Sequence, residues 1–159
     1  MEGKKATSLI CAVIGMDPTN MWYRACSVCE RTLPENPNSL CSSCARSNFF
    51  APPSKRLFRI LVSIATDTKV LNVICFDRAA RILFGCSADD FFHFAKLHPF
   101  AAANAGKMLE GEMFRMTLSK AKNSSNAQHL RAVSIVPLRS GFQPAIESLR
   151  KLYGVLSSS

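Results

Sequence analysis

The sequence predicts a mostly β fold: a five-stranded barrel with a metal-held ribbon inserted between strands 1 and 2, helices between strands 3 and 4, and a C-terminal amphipathic helix. Three observations carry this. Short apolar runs of strand length and partly period-two spacing stand on either side of one stretch of helical spacing. Four of the seven cysteines form two Cys-x2-Cys pairs. The last apolar residues recur at helical intervals.

The chain has 159 residues, enough for one well-filled core and too few for two. Apolar residues make up 48% and charged residues 19%, the composition of an ordered domain. Twenty Lys and Arg against eleven Asp and Glu give a net charge of +9, which favours polyanions or anionic surfaces as partners. No run approaches the ~18 apolar residues of a membrane span, and residues 7–14 lack the length and cleavage site of a secretory signal. A soluble intracellular chain with no membrane partner is expected.

Residues 7–14 are β-branched and apolar and end at Gly15 and Asp17-Pro18, so they read as a first strand closed by a turn. Residues 21–50 have too few long aliphatic side chains to fold by burial alone. Residues 57–65 place Phe58, Ile60, Val62 and Ile64 on one face, and after a turn at 66–69 the run 70–76 returns as the other half of a hairpin. From Asp77 the period becomes helical. Gly85 stops that helix, Ser87 caps the next with Asp90 three residues on, and Pro99 breaks the helical stretch before it ends near Leu109. Residues 113–119 and 129–136 are two more strands joined by a polar loop. Phe58, Phe76 and Phe114 are expected in the core. Residues 143–156 form the final helix, with Ile146, Leu149, Tyr153 and Leu156 at helical spacing. Five strands interrupted by helix between the third and fourth have the connectivity of an OB barrel. The expected layout is therefore an OB domain over 1–142 with the ribbon at 21–50, a helix at 143–156 that docks on a partner or packs on the barrel, and a disordered tail at 157–159.

Cys26-x2-Cys29 and Cys41-x2-Cys44 can each turn two thiolates toward one tetrahedral ion. Two disulfides or four unrelated thiols are the alternatives, and a reducing compartment favours one structural Zn2+. Four thiolates leave no position for water, so the ion folds the chain and does no chemistry. Cys11, Cys75 and Cys86 read as small buried hydrophobes. The three histidines are scattered and no catalytic motif is present, so no enzyme is expected.

The positive charge is uneven. Residues 36–66 and 113–146 hold no carboxylate and carry Arg46, Lys55, Arg56, Arg59, Lys120, Lys122 and Arg131. With Arg24, these are the candidate phosphate contacts of a single-stranded nucleic acid, DNA or RNA. Trp22, Phe49 and Phe50 are candidate stacking surfaces, with packing of the ribbon against the barrel as the alternative use of such aromatics.

The run from Trp22-Tyr23-Arg24-Ala25-Cys26 through Cys44, the segment Leu57-Phe58-Arg59-Ile60, residues 75–88 and the strand segments at 114–116 and 133–137 together resemble the replication factor A C-terminal family. That family is the DNA-binding domain of the replication protein A large subunit. The resemblance implies single-stranded DNA binding in replication, repair or recombination, nuclear residence, and assembly with other OB subunits through the closing helix. Residues 70–72 carry no aromatic where the family commonly has one, which implies weaker DNA binding. A protein-interaction module that docks through its last helix is the rival function.

Overall fold

The computed structural model describes residues 6–36, 38–48, 52–120 and 129–154. In chain order these form β1 (Thr7–Met16), β2 (Trp22–Cys26), α1 (Ser42–Asn48), β3 (Ser54–Ala65), β4 (Val70–Phe76), α2 (Asp77–Phe84), α3 (Ala88–Leu97), α4 (Ala101–Leu109), β5 (Met113–Lys120), β6 (Leu130–Pro137) and α5 (Ala145–Leu152).

The strands run β1-β5-β6-β4-β3, and β1 pairs again with β3 to close the ring. The β4–β6 seam is parallel and the others are antiparallel. These are the five strands the sequence predicts, in OB order. The sequence did not anticipate β2 and α1. Five residues that include Arg24 and Cys26 show too little alternation to announce a strand, and β2 exists because it pairs with the first half of β3, from Trp22 opposite Phe58 to Cys26 opposite Ser54.

Alternation along β3 sends Phe58, Ile60, Val62 and Ile64 inward, where they meet Val13, Val73, Phe114 and Met116. Leu57 points the other way and is buried as well, at 4% exposure, opposite Tyr23 of β2. One end of the barrel is stoppered by aromatics. Phe58 stacks on Phe84 of α2 with ring centres 4.9 Å apart, and Phe84 meets Phe91 of α3 edge-on at 5.1 Å.

Polar contacts fix where these helices begin and end. Asp77 accepts the Phe58 backbone N–H at 3.1 Å and the Arg81 Nε–H at 2.8 Å, tying α2 to β3. Gly85 ends α2 at φ 75° and donates its N–H to the Arg81 carbonyl, and Ser87 Oγ accepts the Asp90 N–H at 3.0 Å to start α3. Pro99 falls between α3 and α4, as expected from its missing N–H.

The last helix is shorter than the 143–156 expected. Ala145, Ile146 and Leu149 are taken up by the chain's own core. Tyr153 stacks on His98 with centroids 4.4 Å apart and its hydroxyl accepts the Asn104 amide at 2.7 Å. Leu156, the tail at 157–159 and the loop at 121–128 lie outside the described residues. Among the described residues no helix is long and apolar enough to cross a membrane.

Gly85 is required twice, by its positive φ and by Pro144, whose Cβ would lie 2.5 Å from an added Cβ. Gly85→Ala is expected to lower stability by about 1–3 kcal/mol, read from the midpoint of urea unfolding.

Candidate metal centre and nucleic-acid interface

The four paired cysteines converge. Cys26 leaves the end of β2, Cys29 follows through a tight turn with Glu30 at φ 62°, and Cys41 and Cys44 enter from the start of α1. Their sulfurs all lie within 4.8 Å of one another, with Cys26 Sγ 3.6 Å from Cys44 Sγ and Cys29 Sγ 3.6 Å from Cys41 Sγ. A tetrahedron with Zn–S bonds of about 2.3 Å has edges of about 3.8 Å, so the donor set fits a zinc ion.

The surroundings are arranged for thiolates. The Val28 N–H donates to Cys26 Sγ at 3.4 Å, and backbone N–H groups, that of Cys29 above all, draw the Cys26 thiol down to about 6. Burial pushes the Cys44 thiol up to about 12. A dication among the four would reverse that preference and hold Cys44 ionised. Around the sulfurs, Cys26, Leu33, Cys41 and Cys44 form a small apolar cluster separate from the barrel core. The other thiols are inert by comparison. Cys11 and Cys75 are buried, Cys86 is half-buried, and desolvation raises all three.

Arg24 is a structural residue of the ribbon. Its guanidinium donates to the carbonyls of Pro34 at 2.5 Å, Asn36 at 2.6 Å and Ser39 at 2.9 Å, and so holds the excursion between the cysteine pairs against β2. Lys55 pairs with Glu30 at 2.5 Å. Arg56 pairs with Asp89 at 2.9 Å while its guanidinium lies 3.4 Å from the centre of the Phe92 ring. Trp22 is half-buried and packs edge-on against Phe92, with centroids 5.5 Å apart. Trp22, Arg24, Lys55 and Arg56 therefore line one cleft, beside the ribbon, of about 340 Å3.

Arg59 and Arg131 stand elsewhere, on the outer face of the barrel. Arg59 of β3 is opposite Phe76 of β4, and Arg131 of β6 is opposite Ile74. The Arg131 guanidinium lies 5.5 Å from the centre of the Phe76 ring. Phe76 is thus half-buried on the outside and not in the core, which corrects the expectation drawn from its apolar neighbours. Tyr23, opposite Leu57 on the same face, completes a cleft of about 630 Å3 with Phe76 and Arg131. Its phenol is held above the ordinary value by burial and by Asp77 and Glu30, so it stays neutral at pH 7. Phe58 and Phe114 are fully buried, as expected.

Of the remaining candidates, Arg46 is exposed at the end of α1 and Lys120 at the end of β5. Phe49, Phe50 and Lys122 lie outside the described residues. The one sequence signal that could have found Phe76 is Asn72: a polar residue in an otherwise apolar strand marks the outer face, and Phe76 is two alternations further on.

A closed five-stranded OB ring with a four-cysteine ribbon joined to its second strand defines the class. The family model for the replication factor-A C terminal domain matches residues 7–139, and the chain belongs to that family. No curated protein sequence matches it. Among solved structures, it is similar to a chain of a replication protein A heterotrimer bound to ssDNA, with a TM-score of 0.69 and 14% identity over 96% of this chain and 36% of that one. It is also similar to a chain of yeast RPA bound to ssDNA, with a TM-score of 0.64 and 17% identity over 98% of this chain and 89% of that one. At these identities the likeness is one of fold. The chain spans about a third of the length of the first of them, and most of the second.

Because the ribbon has its own small cluster, any metal held by the four cysteines should order the ribbon and leave the barrel unaffected. Chelation, or Cys44→Ser, is expected to abolish amide exchange protection at Ala25, Cys26 and Leu33 while Ile60 and Met116 keep theirs. Loss of protection throughout would mean that the ribbon and barrel fold as one unit.

Proposed function

We propose that this domain binds single-stranded DNA without catalysis, on the outer face of β3, β4 and β6, and that one structural Zn2+ holds the ribbon beside that face. The observation that carries this reading is the juxtaposition of Tyr23, Phe76, Arg59 and Arg131 on one open surface. Two aromatic rings for bases and two exposed guanidinium groups for phosphates are the parts a sequence-tolerant single-strand groove needs. Among the described residues neither guanidinium has an ion-pair partner, in contrast to Lys55 and Arg56. Arg46 extends the positive surface from the ribbon.

The family membership supports the assignment, and the similar solved structures are of replication protein A bound to ssDNA. The domain then acts in the nucleus in replication, repair or recombination, in company with other OB-fold subunits. Such subunits would meet the outer side of α5, where Leu152 is 56% exposed, since Ile146 and Leu149 are already occupied by the barrel. The function needs no reacting group: four thiolates complete the coordination of the ion, and the face offers cations and rings.

Fluorescence anisotropy of labelled oligo-dT tests the reading, with duplex DNA and oligo-U as competitors to separate single-stranded DNA from duplex and RNA. Phe76→Ala is expected to weaken binding by about 1–3 kcal/mol, the usual worth of one stacked base. Arg131→Ala should also reduce the slope of log affinity against log salt by about 0.7, the value for one phosphate contact on a single strand. An affinity indifferent to salt would remove the electrostatic part of the proposal. No binding at low salt would leave subunit docking as the function.

A further inference from the structure

A barrel ordinarily leaves no strand edge free, and a row of unpaired N–H and C=O groups invites another strand. Here the ring is incomplete on one side of β1. That strand pairs with β5 from Thr7 to Ala12, but with β3 only from Ala12 to Met16, because β3 stops at Ala65 and turns through residues 66–69 into β4. In an antiparallel pair, successive residues aim their backbone groups to opposite sides. Val13 donates its N–H to the Glu112 carbonyl at 3.0 Å on the β5 side, so Cys11 and Leu9 face β5 in the same phase. Ser8 and Ile10 aim theirs at the open side, and among the described residues no strand meets them.

A groove accompanies the edge. On the outer side of the sheet, a cleft of about 760 Å3 is lined by Ser8, Ile10, Ala12, Ala65, Met113 and Arg115. On the inner side, a smaller one of about 190 Å3 is floored by Leu9, Leu71 and Leu118, with Lys69 and Lys120 at its rim. Ile10 and Met113 are both nearly half exposed. The charged groups lining these two clefts are Lys69, Arg115 and Lys120 against Asp67 alone.

We propose that this edge of β1 receives an extended peptide from an acidic partner protein, added as a strand beside Ser8 and Ile10. Main-chain hydrogen bonds would give the register. Apolar side chains on one face of the peptide would lie on Ile10, Ala12 and Met113, and carboxylates would meet Arg115, Lys69 and Lys120. A second copy of this chain is a poor occupant: each copy carries a net charge of +9 and would bring the same cations to the seam. A nucleic acid has no amide backbone to pair with Ser8 and Ile10.

The probe is a short fluorescein-labelled peptide alternating valine and glutamate, added to the zinc-loaded full chain, with amide hydrogen exchange read by NMR. At saturation, exchange at Ser8 and Ile10 should slow by about tenfold or more, and exchange at Phe76 should be unchanged. Ile10→Pro removes one outward donor at a position where an edge strand tolerates proline, and should abolish the effect. Arg115→Glu keeps the fold in either case and should weaken the peptide about fivefold. Unchanged exchange at Ser8 and Ile10 would overturn the proposal. So would a dimer that Ile10→Pro dissociates, which would give the edge to a second copy, or slowing of the same amides by oligo-dT, which would give it to nucleic acid.

Discussion

One strand is shared by two structures, and most of the rest follows from that. The first half of β3 pairs with β2 of the ribbon and the second half with β1 of the barrel, while β4 runs along its other edge. Leu57 and Phe58, successive residues on opposite faces of the first half of β3, are both buried. The ribbon is therefore held to the barrel by a continuous hydrogen-bonded ladder, and the position of Tyr23 relative to Phe76 is fixed by strand pairing and not by a flexible linker. A metal held by the four cysteines would thereby order one wall of the outer groove as well as the ribbon.

Charge is distributed by the same geometry. Counting cations along the chain treats Arg24, Lys55, Arg56, Arg59 and Arg131 alike, yet the fold gives them different work. Arg24 satisfies three ribbon carbonyls, and Lys55 and Arg56 have carboxylate partners. Exposed pairs of that kind contribute little to stability, at most about 1 kcal/mol each, but they set how much positive potential remains for a ligand. Of these five, Arg59 and Arg131 have no carboxylate partner among the described residues, and both lie on the outer face of the barrel.

The barrel, the helices and the convergence of four cysteines could be read from the sequence because each rests on a local signal: alternation in β3, Gly85 and Ser87 at the helix ends, and the paired Cys-x2-Cys spacing. The proposed binding face was only partly legible. Arg59 and Arg131 became candidates because acid-free stretches are visible in one dimension. Phe76 was misplaced because Val70–Phe76 is apolar on both faces except at Asn72, so its phase rests on that one residue and on a sheet partner distant in sequence. The pairing of Arg56 with Asp89 and the carbonyl contacts of Arg24 are likewise tertiary and leave no periodic trace. The inward orientation of Ile146 and Leu149 was legible as amphipathicity, but not which core they would fill.

The separations along the chain also say something about the order in which the parts can form. Cys26 and Cys44 are 18 residues apart, whereas Cys11, on the first strand, reaches a carbonyl 103 residues away at Phe114. Closing the longer loop carries the greater entropic penalty, and during synthesis its far side does not yet exist. The four cysteines of the ribbon can come together while the nascent chain is still short. β1 must wait for β5, with part of its apolar face uncovered, until residues 113–120 have left the ribosome, so the period of greatest exposure to aggregation falls before β5 emerges.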